Sequence, residues 1–523
     1  MVKHVHNHET DNAFGDVLRH RRPCAKVIEA FTEMFTNEKT RITPAQAMDI
    51  HVSNLEKNDP HRHSLGDGGL CPEMSWINKL YNKLMKSRCG EPYGPDMIAA
   101  LQKNIEEYNT ECKDTCAKMD STIDEKHHFV AVCSPMMKRT LTHHKASAEV
   151  MFIDSSGNMD KCNARIFVIL TASVVCGLPE GLLITFSESE EIVTAALKLW
   201  KEIIPENAFF GRGLRGPKVI FSDDSTAERN SLRTNFPEAI LLLCIFHVLQ
   251  AMWRYVWDST HLVKFEDKPY IYHLFRQILY APSAEEFNSR YEEALEDEMM
   301  KSYGLVSQHI KDLHLRATEW ALCFREDLML RGHNTNNLSE VIMRIMKDCL
   351  LGRMRAYNTV QLFNILATGL DNFYKRKLAL VVNNRMRTSR SRLRVDPAKL
   401  KPLVAEKLFS SEHLFKVKNL GKNTEYIVDS ELEICSCPVG RCGAPCKHQL
   451  AVVKAFKISH QQFVPTNDAA FKMTLYYIMT GQTTAPDGFF NTLKGDQEVV
   501  VTPIDVVQNS ECIINQVLFF FFC

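Results

Sequence analysis

Three apolar, β-branched runs follow one another through the middle of the chain: AEVMFIDSSG, ARIFVILTASVV and EGLLITFSES, each bounded by Gly, Pro, Asn or Ser. Runs of this length closed by turn residues read as buried strands. The period then changes, because EEIVTAALKLWKEII places Val193, Ala196, Leu197, Trp200 and Ile203 on one helical face. PKVIFSDD reads as a further buried strand ending in acids, AERNSLRTNFP as a short helix, and AILLLCIFHV as another buried run. Strand–strand–strand–helix–strand–helix–strand confines this region to an α/β layer architecture with a mixed sheet.

A chain of 523 residues is too long for one core and calls for two to four domains. The division expected is 1–65, polar, His-rich and partly disordered; 66–127, helical; 128–247, the first part of the sheet domain; and 248–332, an all-helical insertion. Then come 333–372, helices that close the sheet domain; 373–405, a basic linker; 406–458, a small ββα zinc module; and 459–523, a weakly patterned tail. In 66–127 the helices MSWINKLYNKLMKS and DMIAALQKNIEEYNTEC, parted by RCGEPYGP, suit either DNA binding or plain packing.

The first sixteen residues hold no apolar core, so a secretory leader is not expected. No apolar run reaches about 18 residues, so no membrane span is expected, and the terminal VLFFFFC is far too short. Seventeen cysteines, an odd number scattered through apolar segments, suit a reducing compartment rather than a disulfide framework. A formal net charge of zero does not advertise a nucleic-acid binder. Local distribution matters more, because a basic face can be balanced by acids elsewhere.

Within ELEICSCPVGRCGAPCKHQLAVVKAF, Cys435, Cys437, Cys446 and His448 form a CxC…CxH set of four soft or borderline ligands. This donor set, two from a strand end and two from the loop and first turn of a helix, is what a closed tetrahedral Zn²⁺ site requires. Cys442 lies inside the loop and fits no place in the pattern.

Three acids carry the remaining chemistry. Asp154 ends the run MFIDSSG, Asp223 ends VIFSDD, and Glu340 opens a helix after HNTNNLSE. A strand-end carboxylate reaches a ligand while its backbone stays rigid. Three converging carboxylates favour divalent cations, two of them about 3.5–4 Å apart for in-line attack on a phosphodiester. Each acid also has a plainer use: a turn residue for Asp154, a helix cap for Asp223 or its neighbour Asp224, and a dipole-complementing first-turn acid for Glu340.

On these residues the stretch from roughly 128 to 345 resembles the catalytic domain of Mutator-like (MULE) transposases. The resemblance is carried by FIDSSGNMDKCNARIFVILTASVVCGLPEGLLITFSESEE, by IFSDDSTAERNSLRTNFPEAILLLCIFHVLQAMWRYV with its C-x-x-H of Cys244 and His247, and by HNTNNLSE. The CxC…CxH set resembles the SWIM-type zinc finger found downstream in the same family. The resemblance implies a ribonuclease-H-like DDE fold with an all-helical insertion, and nuclear, metal-dependent cutting and joining of double-stranded DNA by a homo-oligomer. It implies Asp154, Asp223 and Glu340 as the metal-binding triad for two Mg²⁺ or Mn²⁺, with Asp224 as the alternative second acid and Cys244 and His247 in support.

For DNA contact the richest segment runs from Lys375 to Lys401, with ten basic residues and one acid. Lys375, Arg376, Lys377, Arg385, Arg387, Arg390, Arg392 and Arg394 are the candidates, and a solvated linker or a nuclear-localisation signal would use the same charges. Two further readings stay open: a domesticated transposase that binds DNA or protein without cutting, and a ribonuclease-H-like nuclease unrelated to transposition.

Overall fold

The computed structural model describes residues 18–36, 42–58, 63–123, 126–385, 397–408, 411–456, 458, 460, 463 and 469–484. The chain divides into two compact units. One comprises Met1–Arg325, Asn334–Ala379 and Tyr476–Gln482; the other comprises Glu326–His333, Leu380–Leu475 and Thr483–Cys523.

The first unit is built on a seven-stranded mixed sheet, in the order β1-β2-β5-β4-β3-β6-β7. Its strands are β1 (Ala117–Ser121), β2 (His128–Val132), β3 (Val150–Ser156), β4 (Arg165–Ser173), β5 (Cys176–Thr185), β6 (Val219–Ser222) and β7 (Ile240–Leu243). Consecutive strands β3, β4 and β5 pair antiparallel, whereas β6 joins β3 and β7 joins β6 in parallel. Parallel neighbours need crossover connections. Helices Glu190–Ile203 and Thr226–Asn235 supply them, the first burying all five residues placed on its inner face by the sequence. Strand β4 is buried from Ile166 to Ala172 without alternation, as a strand covered on both faces must be.

Register places the acids. On β3 and β6, Phe152 pairs with Phe221, and their rings stack at 5.3 Å. Asp154 and Asp223 each stand two residues beyond that pair, so parallel pairing brings both to the same end of neighbouring strands about 4.8 Å apart. After β7 comes helix Ile245–Trp257, and no described residue is in a strand again until 403. The helices between share a core of Met252, Phe275, Phe287 and Trp320. Helix Asn337–Arg344 then packs across β3, β4 and β5.

Three features differ from the sequence reading. Strands β1 and β2 extend the sheet beyond the three antiparallel runs: HFVAV is only five residues long, and AKMDS is a polar edge strand held by backbone pairing. Helices Ala25–Thr36 and Pro44–Asn58 occupy a region expected to be partly disordered, because Val27, Phe31 and Phe35 recur every fourth residue and bury against Ala47 and Ile77. The expected weakly patterned tail contains helix Ala469–Thr480, whose Ile478 carbonyl accepts from Arg139 Nε at 2.9 Å.

The second unit contains a four-stranded antiparallel sheet in the order β11-β10-β9-β8, with helix Lys447–Phe456 packed on it. Hairpin β9 (Leu414–Asn419) and β10 (Thr424–Asp429) supplies the two strands of the expected ββα module. Strand β8 (Leu403–Lys407) falls in the expected linker, and β11 (Ile434–Cys435) is two residues long, so the module exceeds ββα. No described helix of the chain is long and apolar enough to cross a membrane.

Candidate active site and metal centre

Asp154 sits on β3 opposite Val168, its carboxylate accepting from the Ser155 N–H at 2.8 Å. Burial, then the charge of Asp223 and more weakly of Glu340, pushes its pKa up to about 7. Asp223 follows β6 directly and touches Nδ1 of His247. Across the ring, His247 Nε2 lies 3.8 Å from Glu340 Oε1. Glu340 stands on the helix Asn337–Arg344, half-exposed, its pKa raised by burial and by Asp223 against the opposing effect of His247. Burial disfavours charge on His247, yet contact with Asp223 and with Cys244 raises its pKa to about 11. The imidazolium therefore stands between two of the acids and lies within electrostatic reach of the third.

Asp223 and Asp224 part company. Asp224 is turned to Arg316 of the helical insertion, which holds its carboxylate in an ion pair, so Asp223 is the one that joins Asp154 and Glu340. Cys244, fully buried, accepts the backbone N–H of Asn336 on Sγ at 3.1 Å. The sequence left its part open between packing and DNA handling; the structure gives it a hydrogen bond beside the site.

Two groups at this site were missed in the sequence. Glu228, in the first turn after Asp223, is 4 % exposed, and its Oε1 is shut in without a donor. Burial, then the charges of Asp223 and Asp154, pushes its pKa up to about 8. Arg325, 2 % exposed, donates to the carbonyls of Leu243 at 2.7 Å, Glu319 at 3.0 Å and Asn334 at 3.3 Å. Burial lowers its pKa to about 10. It braces the backbone just before Cys244 and the start of the segment leading to Glu340. Glu228 lies in STAERNS and Arg325 in LCFRED, and neither stretch differs in pattern from an exposed helix.

The donor set suits a hard cation. Asp154 and Glu340 are each pushed up in pKa by burial and by the charge of Asp223, a like-charge repulsion that a divalent cation would relieve. Oxygen ligands left in this condition are what Mg²⁺ or Mn²⁺ take.

In the second unit, Cys435 ends β11, Cys437 lies in the following turn, and Cys446 and His448 flank the start of helix Lys447–Phe456. All four are buried, with ligand atoms within 4.8 Å of one another. Among the described residues this is the one group of three or more Cys, His, Asp or Glu that closes so tightly. His448 Nδ1 lies 3.7 Å from Cys435 Sγ and 3.9 Å from Cys446 Sγ. A tetrahedron with Zn–S of about 2.3 Å and Zn–N of about 2.0–2.1 Å has S···N edges of about 3.6 Å, so the cage fits zinc. Hydrogen bonds from Cys435 and Cys446 hold the Cys437 thiol well below the usual range, while the same contacts raise Cys435. Cys442 stays outside the cage, and its carbonyl accepts from the Arg331 N–H at 2.9 Å.

Arg331 is built into this unit. Its Nη1 donates to the carbonyls of Leu432 at 3.1 Å and Glu433 at 3.2 Å, just ahead of Cys435, and lies 3.6 Å from the Glu433 carboxylate. Gly332 adopts φ +79°, and a side chain there would press on Ala444.

Of the candidate DNA contacts, Lys375, Arg376 and Lys377 lie on helix Thr359–Val382. Lys375 pairs with Asp371 at 3.8 Å, and Lys377 lies over the rings of Phe373 and Tyr374. Arg385 is exposed. Arg387, Arg390, Arg392 and Arg394 lie outside the described residues.

Residues 187–346 match the Mutator family of transposases. The matched stretch includes Asp223, Cys244, His247 and Glu340, while Asp154 and the Cys/His cage lie outside it. No curated protein matches the chain.

Proposed function

We propose that this chain is a DDE-type DNA transposase that cuts DNA phosphodiesters and joins the resulting 3′-OH ends, with Asp154, Asp223 and Glu340 as its metal-holding acids. The observation that carries the reading is the convergence of three carboxylates, from β3, from the end of β6 and from helix Asn337–Arg344, around one histidine. The match of residues 187–346 to Mutator transposases supports it. So does the strand order β5-β4-β3-β6-β7, three antiparallel strands followed by two parallel ones, which is the arrangement of a ribonuclease-H-like sheet.

Two divalent cations, Mg²⁺ or Mn²⁺, would supply activation of the attacking water or 3′-OH and neutralisation of the leaving oxygen. The chain's own part is to hold the acids rigidly near the ends of β3 and β6 and on helix Asn337–Arg344, and to keep their like charges together. His247 offsets that repulsion, and Asp223 must exchange its contact with the imidazole for a cation. Zn²⁺ in the Cys435, Cys437, Cys446 and His448 cage, which we read as a SWIM-type finger, has a folding role. Double-stranded DNA is the substrate, a homo-oligomer brings two ends together, and the nucleus is the place of action. The basic stretch from Lys375 to Arg394 serves phosphate contact.

Nicking of supercoiled plasmid with Mn²⁺ or Mg²⁺ tests the reading. Wild-type protein should nick, and Asp154→Ala or Glu340→Ala should reduce the rate at least about a hundredfold with DNA binding retained. Equal behaviour of all three, with binding intact, would remove catalysis and leave a domesticated DNA-binding protein.

A further inference from the structure

One residue of HNTNNLSE touches the segments that carry Asp154, His247 and Glu340. Asn336 is fully buried, and it precedes the helix of Glu340 without capping it through its side chain. An asparagine in this place ordinarily spends its side-chain oxygen on the helix N–H groups. Here Nδ2 donates instead to the Ile153 carbonyl at 3.1 Å, next to Asp154 on β3. The backbone N–H of Asn336 donates to Cys244 Sγ at 3.1 Å, three residues before His247. Its Oδ1 accepts from Ser339 Oγ at 2.5 Å, and its carbonyl accepts from the N–H groups of Ser339 at 2.9 Å and Glu340 at 3.4 Å.

We propose that Asn336 is the positioning residue of the acid site, fixing Glu340 against Asp154 and His247, with Cys244 as its backbone anchor. The inference rests on the proposed transposase reading and adds a residue to it. Both ends of the amide are committed: reversing it would set Oδ1 against the Ile153 carbonyl, so the side chain holds one orientation. A single residue therefore joins β3 and the first turn of helix Asn337–Arg344 through its side-chain amide, and Cys244 at the start of helix Ile245–Trp257 through its backbone N–H, so the placing of Glu340 against Asp154 and His247 follows from it.

The test combines Mn²⁺ binding, measured by electron paramagnetic resonance, with plasmid nicking and hydrogen exchange of residues 337–344. Asn336→Ala should raise the Mn²⁺ concentration for half-saturation about tenfold and lower kcat while leaving KM for DNA and zinc content unchanged. Amides 337–344 should exchange faster. Ser339→Ala, which removes the donor to Oδ1 and leaves Cys244 and His247 in place, should shift Mn²⁺ binding in the same direction by a smaller factor, and it stands in if Asn336→Ala does not fold. Wild-type levels of Mn²⁺ binding and kcat in Asn336→Ala would overturn the proposal while leaving the transposase reading intact. Absence of Mn²⁺ binding and nicking in wild type itself would defeat the transposase reading, and the proposal with it.

Discussion

Glu228 is a carboxyl group that the fold prefers protonated. Its pKa rises from 4.5 to about 8, so between those values the folded chain holds a proton that the unfolded chain releases. Stability from this group is complete at low pH and is lost as pH rises through about 8. Glu228→Gln, which keeps the shape without the charge, should be nearly neutral at pH 4.5 and should stabilise metal-free protein by roughly 1–3 kcal/mol at pH 8.5. Urea unfolding at the two values checks the sign. The same scale shows what the sequence could resolve. Asp154 and Glu340 stood out in the sequence as the acid of an apolar run and a first-turn acid of a helix; in the structure Asp154 lies within β3, two residues before its end. Asp223 and Asp224 are adjacent acids, and the choice between them depends on Arg316, 92 residues away. Glu228 was illegible because a first-turn glutamate of a short helix reads as exposed, and only tertiary packing buries it.

At the scale of elements, the buried strands and amphipathic helices of the central sheet announced themselves, since a run such as IFVILT has no other stable use. Strands β1 and β8 did not: AKMDS and LVAEK are half-exposed and owe their form to pairing partners. The zinc cage was legible from spacing alone, because four ligands within fourteen residues close one loop. Hairpin β9–β10 has a core of little more than Phe415, Val417 and Val428 beside the ligands themselves. So small a core leans on its metal, which contributes about 10–16 kcal/mol in comparable peptides. Cys435→Ser should carry well under one equivalent of zinc and lose the amide protection of β9 and β10, while the seven-stranded sheet keeps its own. Metal analysis with hydrogen exchange decides it; full zinc content in the variant would refute the cage.

For the whole molecule, the division into two units does not follow chain order. Residues 326–333, lying between the helical insertion and the segment of Glu340, belong to the unit that holds the Cys/His cage. Composition gave no sign of this, because GHN and its neighbours look like any turn. Arg331 carries the attachment within that unit: it is 7 % exposed, has a positive φ of +52°, and faces an equally buried Glu433. Removing one partner of a buried ion pair costs about 3–5 kcal/mol. Arg331→Ala should therefore speed zinc release to a chromogenic chelator, and an unchanged release rate would show the contact to be idle.

Severing the polypeptide near residue 380 would accordingly produce no self-sufficient zinc finger. The downstream piece would own every ligand yet lack the guanidinium that closes over Leu432 and Glu433, while the upstream piece would bear an orphaned strap. Two folding units whose segments interleave along the chain cannot be parted by a single cut.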